Sequence, residues 1–189
     1  MSTPRNLPAL FMCGFVALVL AIAYVLNPNY PVMIIAGESS VVTWLSGMFL
    51  ISSGISSLII GSRSRSIIWI LVALFFLVLA IDERFMIHEF LKEKLIFGLC
   101  SSTSIVFELP VIFGALVGAL VVFILWKRFS AKARIFLAIA TILGLGSVAM
   151  DIADSGVVLE DVFKLLAEIF ITVALLDKVM DTGISDPLK

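Results

Sequence analysis

The chain's single histidine, His88, stands in the stretch AIDERFMIHEFLKEKL at residues 80–95, among the carboxylates Asp82, Glu83, Glu89 and Glu93 and the bases Arg84, Lys92 and Lys94. An imidazole beside two or three carboxylates is a ligand set for zinc, manganese or iron, while carboxylates alone suit harder divalent cations. On a helix, Asp82 and Glu89 share one face with Glu93 a turn further on. His88 falls on another face, between Arg84 and Lys92 at i−4 and i+4.

A second concentration, MDIADSGVVLEDVFKLLAEIF, runs from residue 150 to 170. Asp151 and Asp154 stand at i, i+3, Ser155-Gly156 suits a turn, and Glu160, Lys164 and Glu168 then descend one helical face at i, i+4, i+8. Glu168 lies roughly 12 Å along the axis from Glu160 at 1.5 Å per residue. A carboxyl carried that far into an apolar layer must be protonated, paired or in a wet cavity, and Lys164 is its nearest pairing candidate. Glu108 precedes Pro110, a proline expected to kink its helix and open a polar recess. The candidate metal-holding set is therefore Asp82, His88, Glu89, Asp151, Glu160 and Glu168, with Glu108, Asp154, Asp161 and Lys164 as further polar candidates. A divalent metal ion is the one cofactor such a set calls for. Glu83, Lys92, Glu93 and Lys94 read as solvated charges flanking a span.

These groups need elements to hold them, and the composition restricts the choice. Of 189 residues, 61% are hydrophobic and 14% charged, with a mean hydropathy of +1.19. That is far more apolar and less charged than a soluble domain, so the expectation is an all-α, polytopic transmembrane helical bundle forming one integral membrane domain over residues 1–189. Six apolar segments serve as spans: about 7–26, 40–61, 66–82, 104–126, 133–150 and 160–180. The third is short, and the amphipathic residues 85–97 after it read as a short interfacial helix. Ala21-Ile22-Ala23 resembles a cleavage site, but the apolar stretch around it is longer than a signal h-region, so it reads as a retained helix.

With the N-terminus cytoplasmic, nine basic residues fall inside and only Arg84, Lys92, Lys94 and Lys164 outside. The positive-inside rule then places both termini in the cytoplasm of a cell with a multi-pass inner-membrane protein. Eleven of the fourteen carboxylates lie on the outer side, leaving Asp177, Asp181 and Asp186 inside. A net charge of −1 and no basic run longer than KRFSAKAR exclude nucleic acid as a partner. Cys13 and Cys100 fall in a span and a loop, so no disulfide is expected. Membrane lipids are the expected surroundings. The small-residue stripes Gly47, Gly54, Gly61 and Gly114, Gly118 suit close helix packing, within the chain or in a homo-oligomer.

The elements Asp82-Glu83-Arg84-Phe85-Met86-Ile87-His88-Glu89, and Asp151-Ile-Ala-Asp154 followed by Leu159-Glu-Asp-Val-Phe-Lys-Leu-Leu166, resemble the motifs of a group of small bacterial six-helix membrane proteins. That group has an acidic pair, an aromatic and His-Glu after one span, and Glu-Asp-x-x-Lys-Leu opening the last. The resemblance covers about the C-terminal two thirds and implies positions rather than a reaction. One histidine is too few for a ceramidase-like zinc site or for a binuclear site with two Glu-x-x-His pairs. Asp151-x-x-Asp154-Ser-Gly departs from the CDP-alcohol phosphotransferase pattern after four positions. The expected function is an acidic exoplasmic site that binds or conducts cations, as a transporter, channel or sensor component. The alternatives are a metal-dependent hydrolase of a lipid or lipid-linked substrate, and an assembly subunit whose acidic face docks a basic partner.

Overall fold

A computed structural model describes residues 7–26, 40–91, 109–153 and 157–184. All regular structure in them is helical: α1 (Leu7–Leu26), α2 (Val41–Ser64), α3 (Ile67–Phe85), the short α4 (Ile87–Leu91), α5 (Leu109–Leu125), α6 (Ala131–Ile152) and α7 (Val157–Ile184), with a 3-10 turn at Trp126–Arg128. Each boundary has a local cause. Ser40 caps α2 by accepting a hydrogen bond from the Thr43 N–H at 3.1 Å, and Ser130 caps α6 by accepting one from the Ala133 N–H at 3.1 Å. Helix α2 stops where Arg65 turns left-handed (φ 49°), and α3 where Met86 does the same (φ 51°), its N–H donating to the Asp82 carbonyl. Three helices outrun the expected spans: α3 by three residues beyond 82, to the cap at Met86, α6 at both ends, between Ser130 and Ala153, and α7 by three residues before 160 and four after 180. Pro110 stands in the first turn of α5, where a missing backbone N–H costs least.

Small residues set the helix pairs. α2 and α3 form an antiparallel hairpin in which a Cβ on Gly54 would meet Leu77 at 3.0 Å and one on Gly61 would meet Trp69 at 3.2 Å. Those two glycines are used within the chain. Helix α7 runs parallel to α2, joined by Ser46 to Glu168, Ser53 to Thr172, and Arg63 to the Val179 carbonyl. It runs antiparallel to α6, with Gly146 against Phe163, and with Ser130 donating to Asp177 Oδ2 at 2.9 Å. Ser130 thus caps one helix and ties it to the next. Helix α1 seats Val16 on Leu45 and Phe49 of α2 and on Leu165 and Ile169 of α7. The main core gathers Leu50, Ile60, Trp69, Phe76, Phe129, Leu137 and Leu175, with Trp69 edge-on to Phe129 at 5.6 Å. Helix α5 lies at the periphery, and of its residues only Leu125 is buried.

Three helical stretches are long and apolar enough to cross a membrane: Val41–Ser64, Leu109–Arg128 and Ala131–Ile152. Around them large apolar side chains face outward, Phe123 at 79% and Phe113 at 70% exposure, which suits a lipid environment rather than water. Helices α3 and α7 carry more charge, α3 in its last turn (Asp82, Glu83, Arg84) and α7 at intervals from Glu160 to Asp181. Past the left-handed Met86 the chain bends into α4; residues 92–97 of the expected interfacial helix lie outside the described residues.

Candidate functional site

The antiparallel hairpin and the α6–α7 pair bring the last turn of α3, the last turn of α6 and the first turns of α7 to one end of the bundle. Between α2, α3, α5, α6 and α7 lies a cavity of about 560 Å³. Asp82 and Glu83 of α3, Asp151 of α6, and Glu160, Asp161 and Glu168 of α7 all line it, with Lys164 as the one basic group in its lining among the described residues. The lining thus brings six acidic side chains and one lysine together. Towards the opposite end the lining turns to hydrocarbon, with Val72, Phe76, Leu125, Leu137 and Leu175.

Four of the six expected metal-holding residues, Asp82, Asp151, Glu160 and Glu168, are therefore brought to one cavity, together with Asp161 and Lys164. For His88 and Glu89 the backbone lies in α4 and the side chains fall outside the description; Glu108 and Asp154 lie outside the described residues. Among the described residues no three such side chains gather closely enough to hold one metal ion.

Two residues that sequence reasoning passed over organise the site. Glu83, read as a solvated flank, has its side chain only 10% exposed and accepts from Lys164 Nζ at 2.6 Å. Lys164 is thus drawn across to α3 rather than along its own helix to Glu168. The second is Ser46, whose hydroxyl donates to Glu168 Oε1 at 2.8 Å. Glu168 is 7% exposed, and its other oxygen, Oε2, is buried with no hydrogen-bond partner among the described residues. One turn below, Thr172 donates to the Glu168 carbonyl at 2.8 Å and lies 2.9 Å from the Ser53 hydroxyl. The α2–α7 contact is therefore a polar seam inside an apolar bundle. The signal for it was present in the serines at 46, 53 and 57, which share a helix face, matching Glu168 and Thr172 at i, i+4.

The glycine pair of α5, Gly114 and Gly118, borders the cavity; a Cβ on Gly114 would meet nothing within 4 Å, and one on Gly118 would meet only Phe75, at 3.6 Å. With Ala115 and Ala119 beside them, these small residues leave space where larger ones would fill it.

Residues 9–179 match the sequence profile of a family described as a domain of unknown function, DUF8692. The chain belongs to the DUF8692 family. The match takes in every element of the cavity, from α2 through the part of α7 that carries Glu160 to Leu175. No curated protein and no solved structure matches the chain.

Proposed function

We propose that this DUF8692 protein is a multi-pass membrane protein whose acidic cavity binds cations. The observation that carries the reading is the lining itself: six acidic side chains from three helices and one lysine at one end, in a cavity whose remaining wall is mostly hydrocarbon. Half-buried and buried carboxyl groups in one lining favour a bound cation more than a lone surface acid would. In the proposed topology α1, α3 and α7 also span, giving six spans of a bacterial inner membrane, with both termini in the cytoplasm and the acidic end exoplasmic. Arg63, Arg65, Lys127 and Arg128, at the other end of the bundle, supply the cytoplasmic charge that this orientation requires. Beyond Glu168 the cavity wall is apolar except for Thr141, which favours binding, as in a sensor or carrier, over conduction straight through it.

The test is cation binding by the purified full-length protein in lipid nanodiscs, followed by calorimetry and thermal unfolding. Added cations should raise the unfolding temperature of the wild type, and the rise should shrink in Asp82→Asn and Glu168→Gln. If neither inorganic nor organic cations bind or stabilise the protein, the reading is wrong. Single cysteines placed at positions 82 and 128, in a chain lacking Cys13 and Cys100, should label from opposite sides of the membrane; labelling from one side would overturn the topology.

A further inference from the structure

We propose that the cation this cavity takes is the ammonium head of a single-chain amphipathic molecule, hydrogen-bonded to Glu168, with its hydrocarbon chain lying along the small-residue face of α5. The proposal rests on the cation-binding reading and names the ligand class for it. Glu168 supplies the anchor. Ser46 satisfies Oε1, Lys164 is engaged by Glu83, and Oε2 of this cavity-lining residue is buried without a hydrogen-bond partner among the described residues. A buried acceptor left so is costly, and a donor arriving with the ligand removes that cost. An ammonium brings such donors together with a positive charge, whereas calcium needs about six to eight oxygen ligands drawn close together.

The rest of the cavity selects what the ammonium is attached to. Past Glu168 the walls include Val72, Phe76, Leu125 and Leu137, a lining that gives an alkyl chain apolar contact and gives a small hydrated ion no ligands. The volume of about 560 Å³ lies within the range of ligand pockets, roughly 300–1,000 Å³, and suits one chain. On α5, Gly114 and Gly118 border this space, and in the proposed membrane setting the peripheral position of that helix brings it near the lipid. A zwitterionic phospholipid would set its phosphate among six carboxylates, so the cavity favours a ligand of net positive charge.

The test uses the full-length protein in phosphatidylcholine nanodiscs, with empty discs as the partition control, and measures binding of decylammonium, ethylammonium, decanol, decylphosphocholine and calcium. Decylammonium should bind at least tenfold more tightly than any of the others. Glu168→Gln should lower its affinity tenfold or more. Gly114→Leu, which adds bulk where a Cβ meets no neighbour, should lower decylammonium affinity similarly while leaving ethylammonium binding unchanged. Equal affinity for decanol or decylphosphocholine would overturn the ammonium assignment. If ethylammonium or calcium bound as well as decylammonium, and Gly114→Leu changed nothing, the amphiphile would be wrong and the cation-binding reading would stand. If no cation bound at any chain length, that underlying reading would fail instead.

Discussion

Removing Lys164 should destabilise the protein more than removing its partner Glu83, and removing both should recover part of the loss. The pair is short, 2.6 Å, and half-hidden, with Lys164 33% and Glu83 10% exposed. At that distance an effective dielectric of 20 gives a gross attraction of about 6 kcal/mol, from which the desolvation of both charges must be subtracted. Exposed pairs retain under about 1 kcal/mol and breaking a buried pair costs roughly 3–5 kcal/mol. A pair at this intermediate burial should therefore show a coupling of about 1–3 kcal/mol. The asymmetry follows from the surroundings. Glu83→Gln leaves Lys164 in a lining that still holds five carboxylates, whereas Lys164→Met leaves six carboxylates with no ammonium in the described lining. The assay is a double-mutant cycle of Glu83→Gln and Lys164→Met by denaturant unfolding in one detergent, repeated with added cation. Lys164→Met should be the less stable single variant and should gain most from the cation. Additive single effects, or a Glu83→Gln variant less stable than Lys164→Met, would refute the electrostatic account of the site.

Ser46→Ala should lower stability by about 1–3 kcal/mol in thermal unfolding, because it leaves both Glu168 oxygens without a donor among the described residues; Ser52→Ala, whose exposed hydroxyl only returns to the Met48 carbonyl, should cost under about 0.5 kcal/mol. Gly54→Ala should destabilise by roughly 1–3 kcal/mol through its contact with Leu77, whereas Gly114→Ala should be neutral or stabilising by up to about 1 kcal/mol, a contrast that unfolding midpoints would reveal. Arg65→Gly should raise stability by about 1 kcal/mol in the same assay, since a residue with a side chain is held there at φ 49°.

What could be read ahead of the structure was the arrangement along the bundle axis. Hydrophobic run lengths place the helices within a few residues, and the charges that end them sort into an acidic and a basic end. What could not be read was the arrangement around the bundle. Glu83 follows Asp82 directly, and a flank charge and an ion-pair partner look identical until α7 is known to bring Lys164 beside it. The serines of α2 announce a polar face, but only the parallel packing of α2 on α7 turns that face into the partner of Glu168. Gly114 and Gly118 illustrate a deeper ambiguity. Small residues allow a neighbour to approach, as Gly54 and Gly61 do for α3, and they equally leave a gap when no neighbour comes. Glycines repeated along one helix face meet a neighbour in α2 and border a cavity in α5.

The seam between α2 and α7 also contains its own control on the role of Glu168. One helical turn towards the basic end, the same two helices meet through Ser53 and Thr172, two neutral hydroxyls 2.9 Å apart and fully buried. That pair meets what polar packing at this contact requires, at little desolvation cost. At the next level up the chain places a carboxyl that lines the cavity instead, gives one of its oxygens to Ser46, and leaves the other buried without a partner among the described residues. If helix adhesion were the sole task of position 168, Glu168→Thr would restore a second hydroxyl pair with Ser46 and leave the protein as stable as the wild type or more so. The expectation is that it does so while abolishing the stabilisation by cations. A variant that kept that stabilisation would show that the charge at position 168 serves packing alone.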